Sequence, residues 1–395
     1  MVTIAKANRI EWVSRSCHLL FATSLEFEKT RPFAGITLGA SIHLEPKTAA
    51  LLLTLQQGGA QVVATGNLNS TQPEVAAYLR TRGMEIIGEQ TKDPAVHNTF
   101  LDAVMARRPQ LLLDNGGDLF SRYADRPYEG LLGGTEETTS GRMRLAPMRS
   151  RIGKPVLVIN DSPIKQFAEN RHAVGQSVFE GFLRFTNRAT AGRRVTVFGY
   201  GACGKGVAAC FRNGYAVVTV VDSNPVTTLE AHLDGFLTPE RREAIAGADI
   251  IVTVTGARDI ITATDLLLLK DGVVLANAGH FPWEIDVAGI EASSALAHSD
   301  QYEDEITTWH FRDGRKAHLL GRGHMINLAG PRPLGNSVES MDLGFALQAR
   351  CLEAVAKGQV GPESCVVPVP PEIDAAVASA YLELSRGARS SGQDG

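Results

Sequence analysis

The sequence predicts an α/β protein with two doubly wound parallel sheets, one domain being inserted into the other. Residues 1–176 alternate short apolar runs with amphipathic stretches, and residues 190–330 repeat this alternation around a glycine-rich turn. Residues 337–395 return with an apolar helix, a proline-rich crossing and a polar tail. Alternation of this kind predicts parallel strands whose carboxyl ends carry the functional loops.

The first segment contains five apolar runs that we interpret as strands. Ser162 is a good N-cap and Pro163 a good first helical residue, so a helix should begin there. The segment from Gly134 to Gly141, dense in hydroxyls and carboxylates, is interpreted as a loop. The predicted strands are 35–39, 60–64, 84–87, 110–113 and 156–159, and the predicted helices are 48–57, 73–81, 341–356 and 372–385.

A glycine-rich turn lies between two apolar runs of the second segment. Gly199, Gly201 and Gly204 follow the run 194–198, and the run 217–221 ends on Asp222. These glycines permit a tight turn and close approach of a pyrophosphate, whose charge rests on the helix N-terminus. A carboxylate at Asp222 can hydrogen-bond the ribose hydroxyls of NAD and repel the 2′-phosphate of NADP. A plain turn between a strand and a helix would explain the glycines alone. It would not explain the strand, the helix and the acidic residue together, so the pattern predicts that the chain binds NAD.

Composition excludes several classes of protein. The 395 residues exceed what one core usually holds, and the net charge of −4 offers no basic field for nucleic acid or an anionic membrane. Arg9, Glu11 and Arg15 place charges in the N-terminal region, so the apolar core of a signal peptide is not expected there. No apolar run is long enough to span a membrane. Five scattered cysteines without a C-x-x-C pair indicate a reducing cytoplasm, and no metal site is predicted.

Several polar residues follow predicted strands. Lys165 and Glu169 are spaced i, i+4, which on spacing alone favours a surface ion pair over a base positioned in a cleft. A single histidine is more often structural than catalytic. His43 and His280, however, each follow a strand in a different domain, so both are expected to face one crevice. Asn115 lies in an Asp-Asn-Gly-Gly turn that needs no chemistry to explain it.

The ordered motifs resemble the adenosylhomocysteinase (S-adenosylhomocysteine hydrolase) family. The resemblance implies an N-terminal substrate domain over 1–176, an inserted Rossmann NAD-binding domain over 190–330, and a C-terminal return over 337–395 that carries oligomer contacts. The blocks that carry it are Gly39–Ala49, Leu113–Leu119, Thr135–Leu145, Asn160–Ser177, Phe198–Gly206, Thr253–Ile261, Asn277–Asp286 and Asn327–Gln348.

The resemblance also implies a mechanism. Bound NAD oxidises the nucleoside 3′-hydroxyl to a ketone, which acidifies the C4′ proton. A base removes that proton and the 5′ substituent leaves. In the hydrolase, water then adds and the ketone is reduced again, so NAD is regenerated in a closed site.

Residue roles follow from the same resemblance. Lys165 would act on the 3′-hydroxyl as its base or hydrogen-bond partner, and Glu169 replaces the Asp that the family has beside this lysine. Glu137 would hold ribose hydroxyls. His43 and His280 would handle protons at C4′ and the 5′ position. The implied cofactor contacts are Gly199, Gly201, Ala202, Cys203, Gly204, Asp222, Asn224, Thr138, Thr139, Ser140, Asn170, Thr255, Gly256, Ala278, Gly279, His280 and Asn327.

The chain departs from the family where the substrate would bind. Asn115 replaces an Asp near the 5′ leaving group, and an amide cannot carry a proton. Lys47 replaces the Glu or Gln that meets the adenine amino group, and Glu45 replaces a Thr. Asn336 replaces a His in an altered loop, and Met341 completes the substrate contacts. The family's C-terminal arm is missing, but a homo-oligomer (dimer or tetramer) is still expected, because the helix 341–356 needs a cover.

Three hypotheses follow for a small-molecule nucleoside substrate. The first is a lyase of the angustmycin-biosynthesis kind, a 4′,5′-dehydratase of an adenine nucleoside in antibiotic biosynthesis. The second is a divergent S-adenosylhomocysteine hydrolase. The third is a non-enzymatic NAD-binding regulator, which the retained Lys165, His43, His280 and Glu137 disfavour. The altered 5′ and base contacts favour the first.

Overall fold

The computed structural model describes residues 9–302 and 305–390, and it confirms the α/β prediction. The chain forms two compact units. Unit 1 comprises Met1–Gln166 and Val338–Gly395, and unit 2 comprises Phe167–Ser337. The second unit is therefore inserted in the first along the chain.

Unit 1 alternates helices and strands before the insertion and adds two helices and a strand after it. Its elements are α1 Arg9–Ser16, α2 His18–Thr30, β1 Thr37–Ser41, α3 Pro46–Gln57, β2 Gln61–Thr65, α4 Pro73–Thr81, β3 Glu85–Ile86, α5 Pro94–Ala106, β4 Leu111–Asp114, α6 Asp118–Asp125, β5 Gly133–Glu136, α7 Thr139–Leu145, α8 Arg149–Ile152, β6 Val156–Val158, α14 Val338–Ala356, β14 Cys365–Pro368 and α15 Pro371–Ser390.

Unit 2 repeats this alternation and ends in an antiparallel meander. A π-helical segment, Lys165–Ala173, crosses from unit 1 into unit 2. The remaining elements are α9 Val174–Thr186, β7 Arg194–Phe198, α10 Ala202–Asn213, β8 Val217–Val221, α11 Pro225–Leu233, α12 Arg241–Gly247, β9 Ile250–Thr253, β10 Val273–Asn277, α13 Val287–Glu291, β11 Leu296–Gln301, β12 Ile306–Phe311 and β13 Lys316–Leu320.

The sheet of unit 1 has seven parallel strands in the order β14-β6-β5-β4-β1-β2-β3. The chain winds from β1 towards β3 on one side and from β4 towards β14 on the other. Neighbouring strands β1 and β4 therefore mark the point where the strand order reverses. Ligands of doubly wound folds bind outside the strand carboxyl ends at such a point.

The sheet of unit 2 has the order β11-β12-β13-β10-β9-β7-β8. Strands β13 to β8 are parallel, whereas β11, β12 and β13 pair antiparallel. Here the order reverses between β7 and β9, and the loops after those two strands occupy the expected ligand position.

Strand β5 corrects the interpretation of 134–141 as a loop, because Gly133–Glu136 is a fully buried strand in the middle of the sheet. Because Gly133 and Gly134 have no apolar side chains, the hydrophobic pattern of the sequence does not reveal this strand. The glycines are needed because a Cβ on Gly134 would lie 1.8 Å from the Leu112 carbonyl oxygen. The antiparallel β11–β13 meander was not predicted from the sequence.

Several predicted boundaries are also wrong. Gly35 adopts a left-handed turn at φ 76°, so β1 begins at Thr37 and not at Gly35. Pro46 opens α3 at its first turn, two residues before the prediction. Helix α15 continues to Ser390, beyond the predicted end at Ser385, and the rest of the polar tail lies outside the described residues.

Helix α14 is covered by its own unit. It packs against α2, α3, β5 and α15, and most of its side chains are buried. The Asp342 carboxylate accepts the backbone N–H groups of Leu19 and Leu20 at the start of α2, both at 2.8 Å. The argument that this helix needs a second subunit is therefore wrong, and the homo-oligomer stays a prediction.

Two further expectations concern the chain as a whole. No disulfide joins the five cysteines, all of which fall within the described residues. Among the helices of residues 9–302 and 305–390, none combines the length and apolar character that crossing a membrane requires.

Candidate active site

Two predicted site residues follow the strands at which the order of unit 1 reverses. His43 comes two residues after β1, and Asn115 directly follows β4. The His43 ring places Nδ1 2.6 Å from the Ser70 hydroxyl, and its backbone carbonyl accepts the Thr48 hydroxyl at 2.6 Å. The loop after β2 thereby orients the imidazole, while the start of α3 holds the His43 backbone.

A buried ion pair lies in the same unit. The Lys165 ammonium donates to Glu137 Oε1 at 2.8 Å, and the two side chains are only 6% and 8% exposed. Burial alone would raise the pKa of Glu137, but Lys165, the Asn115 amide and, when it is protonated, His43 hold that pKa below its ordinary value. Glu137 is therefore a carboxylate at neutral pH.

Asn115 is fixed between two neighbours. Its Nδ2 donates to Glu137 Oε2 at 2.8 Å, and its Oδ1 accepts Asn67 Nδ2 at 2.8 Å. Asn67 Oδ1 in turn accepts the Ser41 hydroxyl at the end of β1. A chain of hydrogen bonds thus joins the ends of β1 and β4 to the Glu137–Lys165 pair. The Asn115 amide donates a hydrogen bond in this chain, but it cannot transfer a proton to a substrate.

Two buried carboxyl groups hold the loops that present these residues. Asp114 accepts the backbone N–H groups of Asn115 and the first three residues of α6. Glu136 accepts those of Gly116, Gly117 and Thr138. Burial raises the pKa of Asp114 to about 7, and burial and Asp114 raise the pKa of Glu136. Sequence reasoning gave Asp114 only a turn role and missed Glu136, whose one signal is a carboxylate at the end of a buried strand.

The two substituted residues of the expected base pocket pair with each other. Lys47 Nζ lies 2.6 Å from Glu45 Oε2, with side-chain exposures of 4% and 10%. Burial raises the pKa of Glu45, and Lys47 opposes that rise. Met341, the other predicted substrate contact of this unit, is buried on α14.

Lys165 begins the π-helical segment. The Ser162 hydroxyl accepts the Lys165 backbone N–H at 3.4 Å, which agrees with the predicted N-cap. Ser162 also donates to Asp374 of α15. π-helical turns are rare and concentrate at functional sites. The i, i+4 pairing of Lys165 with Glu169 stays a prediction, whereas its ion pair with Glu137 is a contact across 28 residues of sequence.

The glycine turn of unit 2 has the shape that a pyrophosphate requires. Gly199 has φ 97°, and a Cβ on Gly204 would lie 2.1 Å from the Gly199 carbonyl oxygen. At Gly201, the N-cap of α10, a Cβ would meet no heavy atom within 4 Å. Ala202 and Cys203 form the first turn of α10. The helix N-terminus therefore has open space above it for an anion.

Asp222 ties this turn to the next helix. Its Oδ2 accepts Tyr200 N and its Oδ1 accepts Asn224 N, both at 2.8 Å. Each oxygen keeps a further lone pair for a ribose hydroxyl. The Asn224 side chain caps α11 by accepting Val226 N at 2.9 Å.

Glu284 organises the loops after β9 and β10 and was missed from the sequence. Its fully buried carboxylate accepts the backbone N–H groups of Thr255 and Gly256 at 2.7–3.1 Å. Gly279 follows Ala278 after β10, and its N–H donates to Asn277 Oδ1 at 2.8 Å. A single acid within a mixed segment carries no periodic signal, so patterning cannot find it.

A buried polar group in unit 2 fits the amide of nicotinamide. Asn327 donates from Nδ2 to Ser177 Oγ at 3.2 Å, while no hydrogen bond reaches its buried Oδ1 from the described residues. Ser177 donates in turn to Asn336 Oδ1 at 2.9 Å, and Asn336 Nδ2 lies 3.4 Å from Glu169 Oε1. Asn170 lies beside Glu169 in the π-helical segment.

The remaining predicted cofactor residues divide between the units. Thr138 caps α7 by accepting Gly141 N at 2.9 Å, and its hydroxyl donates to Glu136. Thr139 opens that helix, and the Ser140 hydroxyl lies 3.1 Å from that of Thr138. In unit 2, the His280 ring packs edge-on against Phe281 at 4.5 Å. The expectation that His43 and His280 face one crevice stays a prediction.

Comparisons with known proteins agree with this geometry. The family model described as S-adenosyl-L-homocysteine hydrolase matches residues 6–126, and the model for its NAD binding domain matches residues 170–332. The chain belongs to the S-adenosyl-L-homocysteine hydrolase family. NAD is therefore its cofactor, and the glycine turn, Asp222 and the Asn327 amide lie in its NAD-binding domain.

Two relatives of similar identity to this chain carry different names. The adenosylhomocysteinase of Thermotoga maritima is 38% identical over 95% of this chain and 93% of its own length. The S-inosyl-L-homocysteine hydrolase of Methanopyrus kandleri is 39% identical over 95% of this chain and 89% of its own. Family membership therefore leaves the nucleobase of the substrate open.

Proposed function

We propose that this protein oxidises the 3′-hydroxyl of a purine nucleoside, eliminates the 5′ substituent and restores the 3′-hydroxyl, with loss of water as the net reaction. The observation that carries the proposal is the buried ion pair of Lys165 with Glu137. A cation and a carboxylate fixed 2.8 Å apart and shielded from water suit a group that must bind and deprotonate a sugar hydroxyl.

The residues of unit 1 divide the work. Glu137 accepts a hydrogen bond from a ribose hydroxyl and takes one proton from the Lys165 ammonium. The neutral Lys165 amine then takes the 3′-hydroxyl proton, and it returns this proton when the 3′ ketone is reduced. NAD, when bound, would supply the hydride acceptor for the 3′ carbon and, in its reduced form, the hydride donor for the final reduction. His43 is the proton carrier of this unit and would take the C4′ proton, with His280 as the second proton carrier that the family implies. C4′–H and the 5′ C–O bond break, a 4′,5′ alkene forms, and the 5′ oxygen leaves with a proton as water.

Asn115 supports dehydration because its amide cannot transfer a proton at the 5′ carbon. In the position where the family has an acid, it donates to Glu137 and accepts from Asn67, so it neither protonates nor activates a group at the 5′ carbon. Water addition to the alkene lacks the carboxylate that the family places here. Elimination still needs a proton for the departing hydroxyl, which is assigned to the histidines.

Hydrolysis of a homocysteine thioether is the second candidate. The relatives at 38–39% identity are named as hydrolases of such substrates. A thiolate also leaves more readily than hydroxide, because the pKa of a thiol lies far below that of water. Elimination from a thioether therefore needs an acid beside the leaving group less than elimination of a hydroxyl does, so Asn115 in place of an acid impairs it less.

Product analysis separates the candidates. The NAD-loaded protein is offered S-adenosylhomocysteine and S-inosylhomocysteine in one set of reactions and 5′-hydroxyl purine nucleosides, including a ketose-derived one, in another. Mass spectrometry showing loss of one water from a nucleoside, with the thioethers intact, supports the proposal. Release of homocysteine identifies the hydrolase instead. NAD binding with no product and no reduced nicotinamide in either set indicates a binding protein.

A further inference from the structure

Two histidines and an aspartate form a cluster on the outer strands of the unit 2 sheet. His298 and Asp300 lie two residues apart on the edge strand β11, and His310 lies on β12 directly opposite His298. Strand periodicity places all three on one face of the sheet. One ligand atom from each lies within 4.8 Å of the other two.

We infer that His298, Asp300 and His310 form a binding site for a divalent transition ion of the zinc class. Two imidazoles and one carboxylate are ligands that zinc prefers, and hard ions such as Mg²⁺ favour oxygen ligands instead. Three protein ligands leave one position for water. The two-strand arrangement fixes the ligand spacing without any loop.

Only a small rearrangement is needed to bind the ion. His310 Nε2 already lies 2.8 Å from Asp300 Oδ2, whereas ligand atoms around tetrahedral zinc lie roughly 3.4 Å apart. The rings of His298 and His310 are stacked at 4.2 Å with an interplanar angle of 11°. Because a metal lies in the plane of each imidazole that binds it, His298 must turn out of this stack. His298 is exposed on the edge strand, so its ring has room to turn.

Neighbouring charges set the affinity. Lys316 of β13 pairs in register with His310, so its ammonium lies on the same face of the sheet and opposes a divalent cation. His318 of the same strand is engaged by the Thr308 hydroxyl at 2.9 Å. The site is therefore expected to have three protein ligands and an affinity that Lys316 lowers.

Zinc titration of the untagged, NAD-loaded full-length protein tests the inference. Calorimetry should show one ion per chain, and zinc should raise the thermal midpoint because it binds the folded state. His298→Ala and Asp300→Asn should each weaken binding by about tenfold or more. Lys316→Gln should tighten it. His232→Gln, at an exposed histidine on α11, should leave it unchanged.

Cobalt(II) provides a second readout, because nitrogen and oxygen ligands give visible bands without the charge-transfer absorption of a thiolate. Those bands should disappear in His310→Gln while the far-ultraviolet circular dichroism stays unchanged. Wild-type affinity in His298→Ala and Asp300→Asn, a thiolate spectrum, or no binding by the wild-type protein would each overturn the assignment.

Discussion

The Lys165 ammonium lies 2.8 Å from the Glu137 carboxylate, with both side chains almost completely buried. Removing one partner of such a pair leaves a charge without compensation, at a cost of about 3–5 kcal/mol. Asn115 adds a hydrogen bond to the other carboxylate oxygen, so Glu137 is held from two directions. The pair is therefore a fixed electrostatic feature and not a mobile surface contact.

Lys165→Met should abolish turnover while leaving NAD bound. Because Lys165 is proposed to manage the 3′-hydroxyl proton, the first oxidation should slow by about 10²–10⁴-fold. Stopped-flow absorbance of reduced nicotinamide after mixing with substrate measures that step directly. Lys205→Met, which removes the partly exposed ion pair of Lys205 on α10 with Glu230 on α11, is the matched control and should keep full activity. Persistent nicotinamide reduction in the Lys165 variant would remove it from the mechanism.

Asp222→Ser should relax cofactor selectivity. The carboxylate accepts Tyr200 N and Asn224 N and keeps lone pairs for the ribose, so its loss should weaken NAD binding by about tenfold, or about 1.4 kcal/mol. NADP binding should weaken less or improve, because a negative charge near the 2′-phosphate is gone. Equilibrium titration with both cofactors, with exposed Glu243→Gln as control, measures the ratio. An unchanged ratio contradicts the role given to Asp222.

Hydrophobic periodicity was enough to predict the α/β class and most strands of unit 1. It failed at β5, where close packing of Gly134 against the Leu112 carbonyl leaves no side chain to reveal the strand. It also failed at the β11–β13 meander, whose edge strand β11 is largely exposed and therefore lacks a clear apolar pattern. Strands with glycine or with exposed faces carry too little apolar signal to be recognised.

Candidate residues were easier to predict than their partners. Sequence spacing suggested Glu169 as a neighbour of Lys165, and that pairing stays a prediction. The ion pair of Lys165 with Glu137 was not expected, because only the tertiary fold brings these two residues near. Glu136 and Glu284 were missed because they act on backbone N–H groups of loops whose geometry is not encoded locally. Spacing along a helix is visible in the sequence, and contacts between strand ends are not.

Changing Glu45 and Lys47 together should alter nucleobase selectivity. Lys47→Met alone leaves Glu45 buried without its partner, so we expect a loss of about 3–5 kcal/mol in stability. The double variant Glu45→Thr with Lys47→Gln, which restores the family pattern, should recover much of it. The ratio of kcat/KM for adenine and hypoxanthine substrates should shift towards adenine. A stable double variant with unchanged selectivity would place the pair outside the base pocket.

Asn115→Asp should restore a proton carrier beside Glu137. The new carboxyl oxygen would lie about as close to Glu137 as the present 2.8 Å contact, so the two groups must share a proton. The ratio of hydrolysis to dehydration products should therefore rise. Asn115→Ala, which removes the amide without adding an acid, is the control. An equal product ratio in both variants would show that an acid at this position does not decide the outcome.

The buried carboxyl pair of Asp114 and Glu136 should make stability fall as pH rises. The folded pKa of Asp114 is about 7, against 3.8 as its ordinary value, so the unfolded chain binds fewer protons between these limits. The contribution of Asp114 to the free energy of unfolding is thus greatest at the acidic end of this window, and this contribution is lost towards about pH 7. Asp118→Asn removes the neighbouring charge that, after burial, raises the pKa of Asp114, so it should lower that pKa and flatten this dependence even if overall stability drops. Thermal midpoints at about pH 5 and about pH 8 measure the slope. The same slope in both proteins would mean that other groups control it.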